Sequence, residues 1–181
     1  FVLTDGDGGT SPNYDTTVTV SAVNDAPTDL ALSANSVAEN ASNGTVVGIV
    51  TGTDPDTSDT QTYSLTNTAG GRFAINASTG EITVADGTLL DYESATSHSV
   101  TVRVTDSGGL TYDETFTINL TNVNETPTDL ALSANSVAEN AANGTVVGIV
   151  TGTDPDTGDT QSYSLTDTRS EERRVGTECS L

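Results

Sequence analysis

Between residues 27 and 126 apolar and polar positions alternate in short runs. Val100, Val102 and Val104 interleave with Thr101, Arg103 and Thr105, and Phe116, Ile118 and Leu120 interleave with Thr117 and Asn119. A period of two puts alternate side chains on opposite faces, so each run is a strand with one face to bury. Seven such strands are expected, over residues 29–36, 45–53, 61–66, 72–76, 81–85, 98–105 and 112–123. The segments between them carry Asn43-Gly44, Asp54-Pro55-Asp56, Gly70-Gly71, Thr79-Gly80, Asp86-Gly87 and Ser107-Gly108-Gly109. These residues supply a positive φ, a fixed φ, or a side chain that hydrogen-bonds its own backbone, which is what a turn requires. No stretch carries the 3.6-residue period of an amphipathic helix over a useful length. The expectation is all-β: tandem seven-stranded Greek-key β-sandwich domains of the immunoglobulin-like kind. The core would hold Leu30, Leu32, Val47, Ile49, Tyr63, Leu65, Phe73, Ile75, Ile82, Val84, Val100, Val102, Val104, Phe116, Ile118 and Leu120.

A longer period sets the organisation of the chain. Residues 27–63 recur at 127–163, and the two copies differ only at Ser42/Ala142, Ser58/Gly158 and Thr62/Ser162. A displacement of 100 positions is a whole domain rather than one rung of a solenoid. Residues 1–26 therefore read as the end of a preceding repeat, 27–126 as one complete repeat, and 127–168 as the beginning of the next. Phe1 to Asp5 aligns with Val102 to Asp106, and Thr17 to Val20 with the strand near Thr115 to Leu120. Residues 169–181, RSEERRVGTECSL, break from the repeat and hold three of the five Arg and the single Cys179. They are expected to be a non-native, adapter-like tail and take no part in the fold. Asp5-Gly6-Asp7-Gly8-Gly9 has the opening of a helix-loop-helix calcium loop, but its twelfth position is Thr16 and no helical period flanks it. A glycine-rich strand connection is expected there.

Composition narrows the function. With 26 acidic and 5 basic residues the formal charge is -21, which repels nucleic acid and anionic lipid and attracts cations. Apolar residues make up only 33%, low enough to raise disorder, but the strand alternation argues against it. No apolar run approaches the ~18 residues of a membrane span, so no membrane insertion is expected in this segment. A lone cysteine forms no internal disulfide. No Gly-x-Ser-x-Gly elbow is present, and the expectation is a chain without enzymatic activity. His98 opens a strand with no second His or Cys to join it and is expected at the surface.

The acidic residues of the complete repeat fall into groups: Glu39-Asn40, Asp54 and Asp56, Asp91 and Glu93, Asp106, and Asn122 to Glu125 at the exit. In an antiparallel sandwich alternate loops lie at opposite ends. Asp54, Asp56 and Asp106 then share one end, while Glu39, Asp91 and Glu93 gather at the other beside the exit linker. Crowded carboxylates repel unless a cation compensates them. Asp, Glu and Asn oxygens without His or Cys describe a hard-cation site, and six to eight flexible oxygens favour Ca2+ over Mg2+. A solvated acidic surface is the competing reading, and a glycosidase-like use of Asp91 with Glu93 lacks an aromatic sugar platform.

These motifs, in this order, resemble the cadherin repeat, in its bacterial cadherin-like form found in large surface or secreted adhesins. Glu39-Asn40 is similar to the family's Glu-Asn element, Asp54-Pro55-Asp56 to its Asp-x-Asp, Leu90-Asp91-Tyr92-Glu93 to its Leu-Asp-x-Glu, and Asp106-Ser107-Gly108 to its Asp-x-Gly. Asn122-Val123-Asn124-Glu125-Thr126-Pro127 resembles the inter-repeat linker, with Asn122 and Glu125 where the family has Asp and one residue fewer before Pro127. The resemblance implies calcium at each junction. The junction after the complete repeat would use Glu39, Asp91, Glu93, Asn124, Glu125, Asp154 and Asp156, and the junction before it Asn24, Asp25, Asp54, Asp56 and Asp106. It also implies a non-enzymatic, extracellular or cell-surface rod segment acting in cell adhesion. Its partners would be neighbouring repeats through calcium, and homophilic or cell-surface and glycan ligands. The alternative function is an accessory carbohydrate-binding β-sandwich of a larger surface enzyme.

Overall fold

The computed structural model describes residues 2–12 and 17–166; the expected adapter-like tail at 169–181 lies outside them. The complete repeat holds eight strands: β1 (Asp29–Leu32), β2 (Ser36–Ala38), β3 (Val46–Thr53), β4 (Thr62–Asn67), β5 (Phe73–Ile75), β6 (Glu81–Val84), β7 (Ser97–Thr105) and β8 (Thr111–Thr121). They form two four-stranded sheets, in the orders β1-β3-β6-β5 and β2-β8-β7-β4. Side chains from both sheets meet in one core of Leu30, Val37, Val47, Val50, Phe73, Ile82, Val84, Leu90, Val100, Val102, Val104, Ile118 and Leu120. The fold is therefore a Greek-key β-sandwich.

The expected first strand, 29–36, is divided. β1 pairs antiparallel with β3, and β2 pairs parallel with β8, Val37 opposite Leu120. Residues 33–35 carry the chain from one sheet to the other. Ser33 Oγ accepts from Ile49 N at 2.9 Å, and two residues on, the Asn35 carbonyl accepts from Asn119 N at 2.8 Å. A single strand cannot serve both sheets, and dividing it lets one segment edge each of them.

Ile49 is the clear departure from the expected core. Val46 opposes Thr83, but Gly48 opposes Ile82, so β3 carries one extra residue. The bulge flips the alternation: Val47 and Gly48 are both buried, Ile49 is 42% exposed and Val50 is fully buried. Glycine is required at 48, where a Cβ would collide with the Ala34 carbonyl. Leu90, which follows a 3-10 turn at Gly87–Leu89, is fully buried. A lone apolar residue in a turn has no period to reveal it.

His98 is not a plain surface residue. It is half-buried, its ring lies 6.5 Å from that of Phe73, and its Nε2 is shut from solvent without a hydrogen-bond partner. Burial, and then the charge of Arg72, push its pKa below the usual 6.5. The unfolded chain therefore binds a proton more readily than the fold does. His98 contributes stability that is complete above about pH 6.5 and declines as pH falls below it. Urea unfolding at a series of pH values is expected to show this decline and to lose it in His98→Gln. An unchanged slope in that variant would remove His98 as its source.

Residues 5–9 form the turn that residues 106–110 form in the complete repeat. Asp5 N donates to the Gly9 carbonyl as Asp106 N does to Leu110, each at 3.0 Å. Asp5 Oδ1 accepts from Gly9 N at 2.8 Å, and Asp106 Oδ1 accepts from Leu110 N at the same distance. Gly8 and Gly109 take the same left-handed φ, 86° and 88°. Residues 17–20, aligned with β8 in the sequence, are exposed and form no strand, because no neighbouring strand among the described residues pairs with them.

The second copy is only partly built. β9 (Asp129–Leu132) and β10 (Val150–Thr153) pair in the register of β1 with β3, Leu130 opposite Gly152. Residues 136–138 form no strand, although Ser36–Ala38 do.

Candidate metal centre

Two acidic centres lie at the two ends of the sandwich. At the first, carboxylate oxygens of Asp54, Asp59 and Asp106 lie within 4.8 Å of one another. Asp54 follows β3, Asp59 belongs to the loop before β4, and Asp106 follows β7, so three strands deliver them to one rim. The linker seats on this end. Asn24 Nδ2 donates to Asp106 Oδ2 at 2.9 Å, and Asp25 N donates to Asp56 Oδ2 at 2.7 Å. Gly108 makes the approach possible, since a Cβ there would strike the Asn24 amide. Asp106 is buried; that burial raises its pKa, but the donors Asn24, Leu110, Gly109 and Gly108 outweigh it and hold the carboxyl below its usual range.

At the second centre, oxygens of Glu39, Asp91 and Glu93 lie within 4.8 Å of one another. Glu39 is only 2% exposed, yet it is a stretched bridge rather than a trapped charge: its Oε2 accepts from Tyr92 N at 2.7 Å and its Oε1 from Val123 N at 2.8 Å. It thereby holds the 91–93 turn and the linker together. Asp91 accepts from Ser94 N at 2.9 Å and from Ser94 Oγ at 2.7 Å, and these donors keep its pKa low. Glu93 is displaced the other way. Desolvation raises its pKa first, and the charges of Glu39, Asp156 and Glu125 add to it. Glu125 belongs to the linker at the end of the repeat and Asp156 to the next copy, so carboxylates of both copies and of the linker act on one another here.

The linker spans this junction as it spans the first. Glu125 N donates to Asp156 Oδ2 at 2.6 Å, the counterpart of Asp25 on Asp56. Asp156, 7% exposed, is positioned by its own amide donating to Asp154 Oδ1 at 3.0 Å. Asn124 turns back, its Nδ2 donating to the Glu125 carbonyl at 3.0 Å. On the other side Asn40 Nδ2 donates to Glu125 Oε1 at 2.9 Å, and Asn122 Nδ2 to Glu93 Oε1 at 3.1 Å.

Asp59 is the residue that sequence reasoning passed over. It lies three positions after Asp56 and is repeated as Asp159, so its place in a second Asp-x-x-Asp spacing was the available signal. Ser107 Oγ donates to its Oδ1 at 2.8 Å, while its Oδ2 and that of Asp54 are buried without any partner.

No cation of the described chain serves these centres. Arg103 pairs with Asp113 at 2.7 Å, the only ion pair among the described residues. Arg72 is spent on the carbonyls of Leu89 and Ala69, at 2.9 and 2.8 Å. Buried carboxylate oxygens without partners, and an all-oxygen donor set, are the chemistry that a hard divalent cation fits.

Residues 34–121 match the model of the cadherin domain. No curated protein matches the sequence. Among solved structures the chain is similar to human protocadherin-24 EC1-2, with 25% identity and a TM-score of 0.58 over 73% of this chain and 62% of that one. It is also similar to the human desmocollin-1 ectodomain, with 28% identity and a TM-score of 0.55 over 87% of this chain and 32% of that one. Protocadherin gamma B2 extracellular cadherin domains 1–5 follow, with 26% identity and a TM-score of 0.53 over 75% and 27% of the two chains. The chain thus spans less than two thirds of each of these relatives. The two-sheet sandwich at the centre of this chain, residues 34–121, belongs to the cadherin domain family.

Proposed function

We propose that this chain is a calcium-binding, non-enzymatic segment of an extracellular adhesin, in which the cation stiffens the junctions between repeats. The observation that carries the reading is the position of Glu93, which feels Glu39 of its own repeat, Glu125 of the linker and Asp156 of the next copy with no arginine to offset them. Glu39, Asp91, Glu93, Asn124, Glu125, Asp154 and Asp156 would hold calcium at this junction. Asn24, Asp25, Asp54, Asp56 and Asp106, with Asp59 added, would hold it at the other. A bound divalent cation supplies the positive charge these oxygens lack. The chain's own part is to present the oxygens from both sides of a short linker whose backbone is already clasped by Asp56 and Asp156. Carboxylates that repel across the linker are thereby turned into a shared ligand set.

Residues 1–26, 127–168 and 169–181 keep their proposed parts: the end of one repeat, the start of the next, and a non-native tail. The turn shared by residues 5–9 and 106–110 supports the first of these. Adhesion between copies, or to a cell-surface or glycan ligand, is the proposed role of the parent protein. The carbohydrate-binding alternative needs a row of exposed stacking rings; Tyr63, Tyr92 and Tyr112 are turned onto the core, which leaves Tyr163 as the one exposed tyrosine among the described residues.

Calorimetric titration of the chain with calcium tests the reading. Binding with a dissociation constant on the order of 0.1 to 1 mM is expected, the range of extracellular modules. Asp156→Asn is expected to weaken it, since Asp156 belongs to the following copy. Unchanged binding in that variant would rule out a site shared across the junction.

A further inference from the structure

Residues 54–61 carry Asp54, Asp56 and Asp59, and they pass from β3 in one sheet to β4 in the other. No ladder of backbone hydrogen bonds joins those two strands, so the sheets alone leave the ends of this acidic loop untied. Within the loop the backbone is turned on itself. Asp56 N donates to Asp54 Oδ1 at 2.8 Å, and Asp59 N donates to the Asp56 carbonyl at 2.9 Å. These bonds set each carboxylate against its neighbour in the chain, but not the distance between the loop's ends.

That distance is held by one phenol. Gly52 N donates to Tyr63 Oη at 3.1 Å, and Tyr63 Oη donates to Gln61 Oε1 at 3.0 Å. β6 pairs with β3 only from Val46 to Ile49, so beyond that point the N–H of Gly52 has no strand to serve on the β6 side, and Tyr63 supplies its acceptor. Glycine is required at 52, where a Cβ would strike the Gln61 side chain. The Tyr63 ring packs against the core, and Tyr63, Gln61, Asp54, Asp56 and Asp59 line one cleft.

The second copy makes the same clasp. Gly152 N donates to Tyr163 Oη at 2.8 Å, Tyr163 Oη donates to Gln161 Oε1 at 2.6 Å, and a Cβ at 152 would again strike the glutamine. Ser58/Gly158 and Thr62/Ser162, two of the differences between the copies, fall inside this segment, and neither touches the three residues that form the clasp.

We propose that Tyr63, and Tyr163 in the next copy, are positioning residues for the acidic centres: the phenol ties the two ends of the loop and arranges its carboxylates before a cation binds. This rests on the calcium binding proposed above. The phenol acts through the loop and not as a ligand, since its partners are Gly52 N and Gln61 Oε1. A loop whose ends are already tied loses little freedom when the cation binds, whereas an untied loop must be ordered at the expense of affinity.

The test is calorimetric titration of the whole chain with calcium, in the parent, Tyr63→Phe and Tyr163→Phe, with melting temperature and amide hydrogen exchange of residues 54–60 recorded in chelator. Phenylalanine keeps the ring and its packing and removes only the clasp. Each variant is expected to bind calcium about tenfold more weakly at its own centre, the low end of the range for residues that orient metal ligands. Without metal, the amides of Asp56 and Asp59 are expected to exchange faster in Tyr63→Phe. Tyr163 lies outside the complete repeat, so its variant reports on affinity even where Tyr63→Phe fails to fold. A lower melting temperature with calcium affinity unchanged, in either folded variant, would make the clasp a purely structural bond and overturn the proposal while the calcium reading stands. Exchange at 54–60 that is the same in Tyr63→Phe as in the parent would overturn it as well. A parent chain that binds no calcium would overturn both the proposal and the reading it rests on.

Discussion

Glu93→Gln is expected to have opposite effects with and without calcium. In the absence of metal, Glu93 is an exposed carboxylate whose pKa is raised by partial desolvation and by the charges of Glu39, Asp156 and Glu125. Removing its charge removes that repulsion, so the variant melts slightly higher than the parent in chelator. The amide keeps an oxygen to accept from Asn122, the bond Glu93 makes at 3.1 Å, so the local fold is retained. With calcium the order reverses. A ligand confined to the folded state, at about a hundred times its dissociation constant, stabilises by ~2.7 kcal/mol. For a domain of this size that corresponds to about 10–20 °C in melting temperature, and Glu93→Gln is expected to lose most of it. Scanning calorimetry of both proteins in chelator and in calcium at about a hundred times its dissociation constant, ~10–100 mM for the range expected above, gives four melting temperatures. If the variant and parent respond alike to calcium, the acids are a solvated surface and the junction owes nothing to metal.

Leu30→Ala and Leu130→Ala, the same substitution in the same sequence context, are expected to differ by about 2–5 kcal/mol. Leu30 is 3% exposed in the core of the complete repeat, and Leu130 is 66% exposed. The first substitution strips a buried side chain and leaves a cavity between the sheets, at about 2–5 kcal/mol. The second removes surface already in water and is expected to stay within about 0.5 kcal/mol. Midpoints of denaturant unfolding, followed by a probe on the complete repeat, separate the two. Equal sensitivity would mean that the second copy buries Leu130 in solution and the description of β9 as half of an open pair is wrong.

Much of the acidic site was legible because ligand chemistry is written in residue type and order. The grouping of Asp54 with Asp106, and of Glu39 with Asp91 and Glu93, follows from counting strands, since antiparallel neighbours return the chain to alternate ends. Asp59 was not legible in the same way. It reaches the centre because the loop before β4 folds its side chain under Ser107, and loop conformation has no period to read. The environment of Glu39 was equally hidden: that a glutamate 2% exposed should span Tyr92 N and Val123 N depends on where a turn and a linker come to rest.

The fold divides along the same line. Alternation along the chain determined that this is an all-β sandwich, which strands exist, and most of the core, because a period of two is a property of the strand itself. It misplaced Ile49, since the bulge at Gly48 is set by Ala34 of a neighbouring segment, and it joined β1 to β2, which only the presence of two sheets separates. The two copies state the limit most directly. Ser36–Ala38 form a strand and Ser136–Ala138 do not, and Val50 is fully buried where Val150 is 41% exposed. Nothing local distinguishes them. β2 exists because β8 lies beside it, and β3 extends to eight residues because β6 pairs with its first half. Sequence determined what each segment is able to become; backbone partners distant in the chain decided whether it does, because a strand's hydrogen bonds are made to another strand.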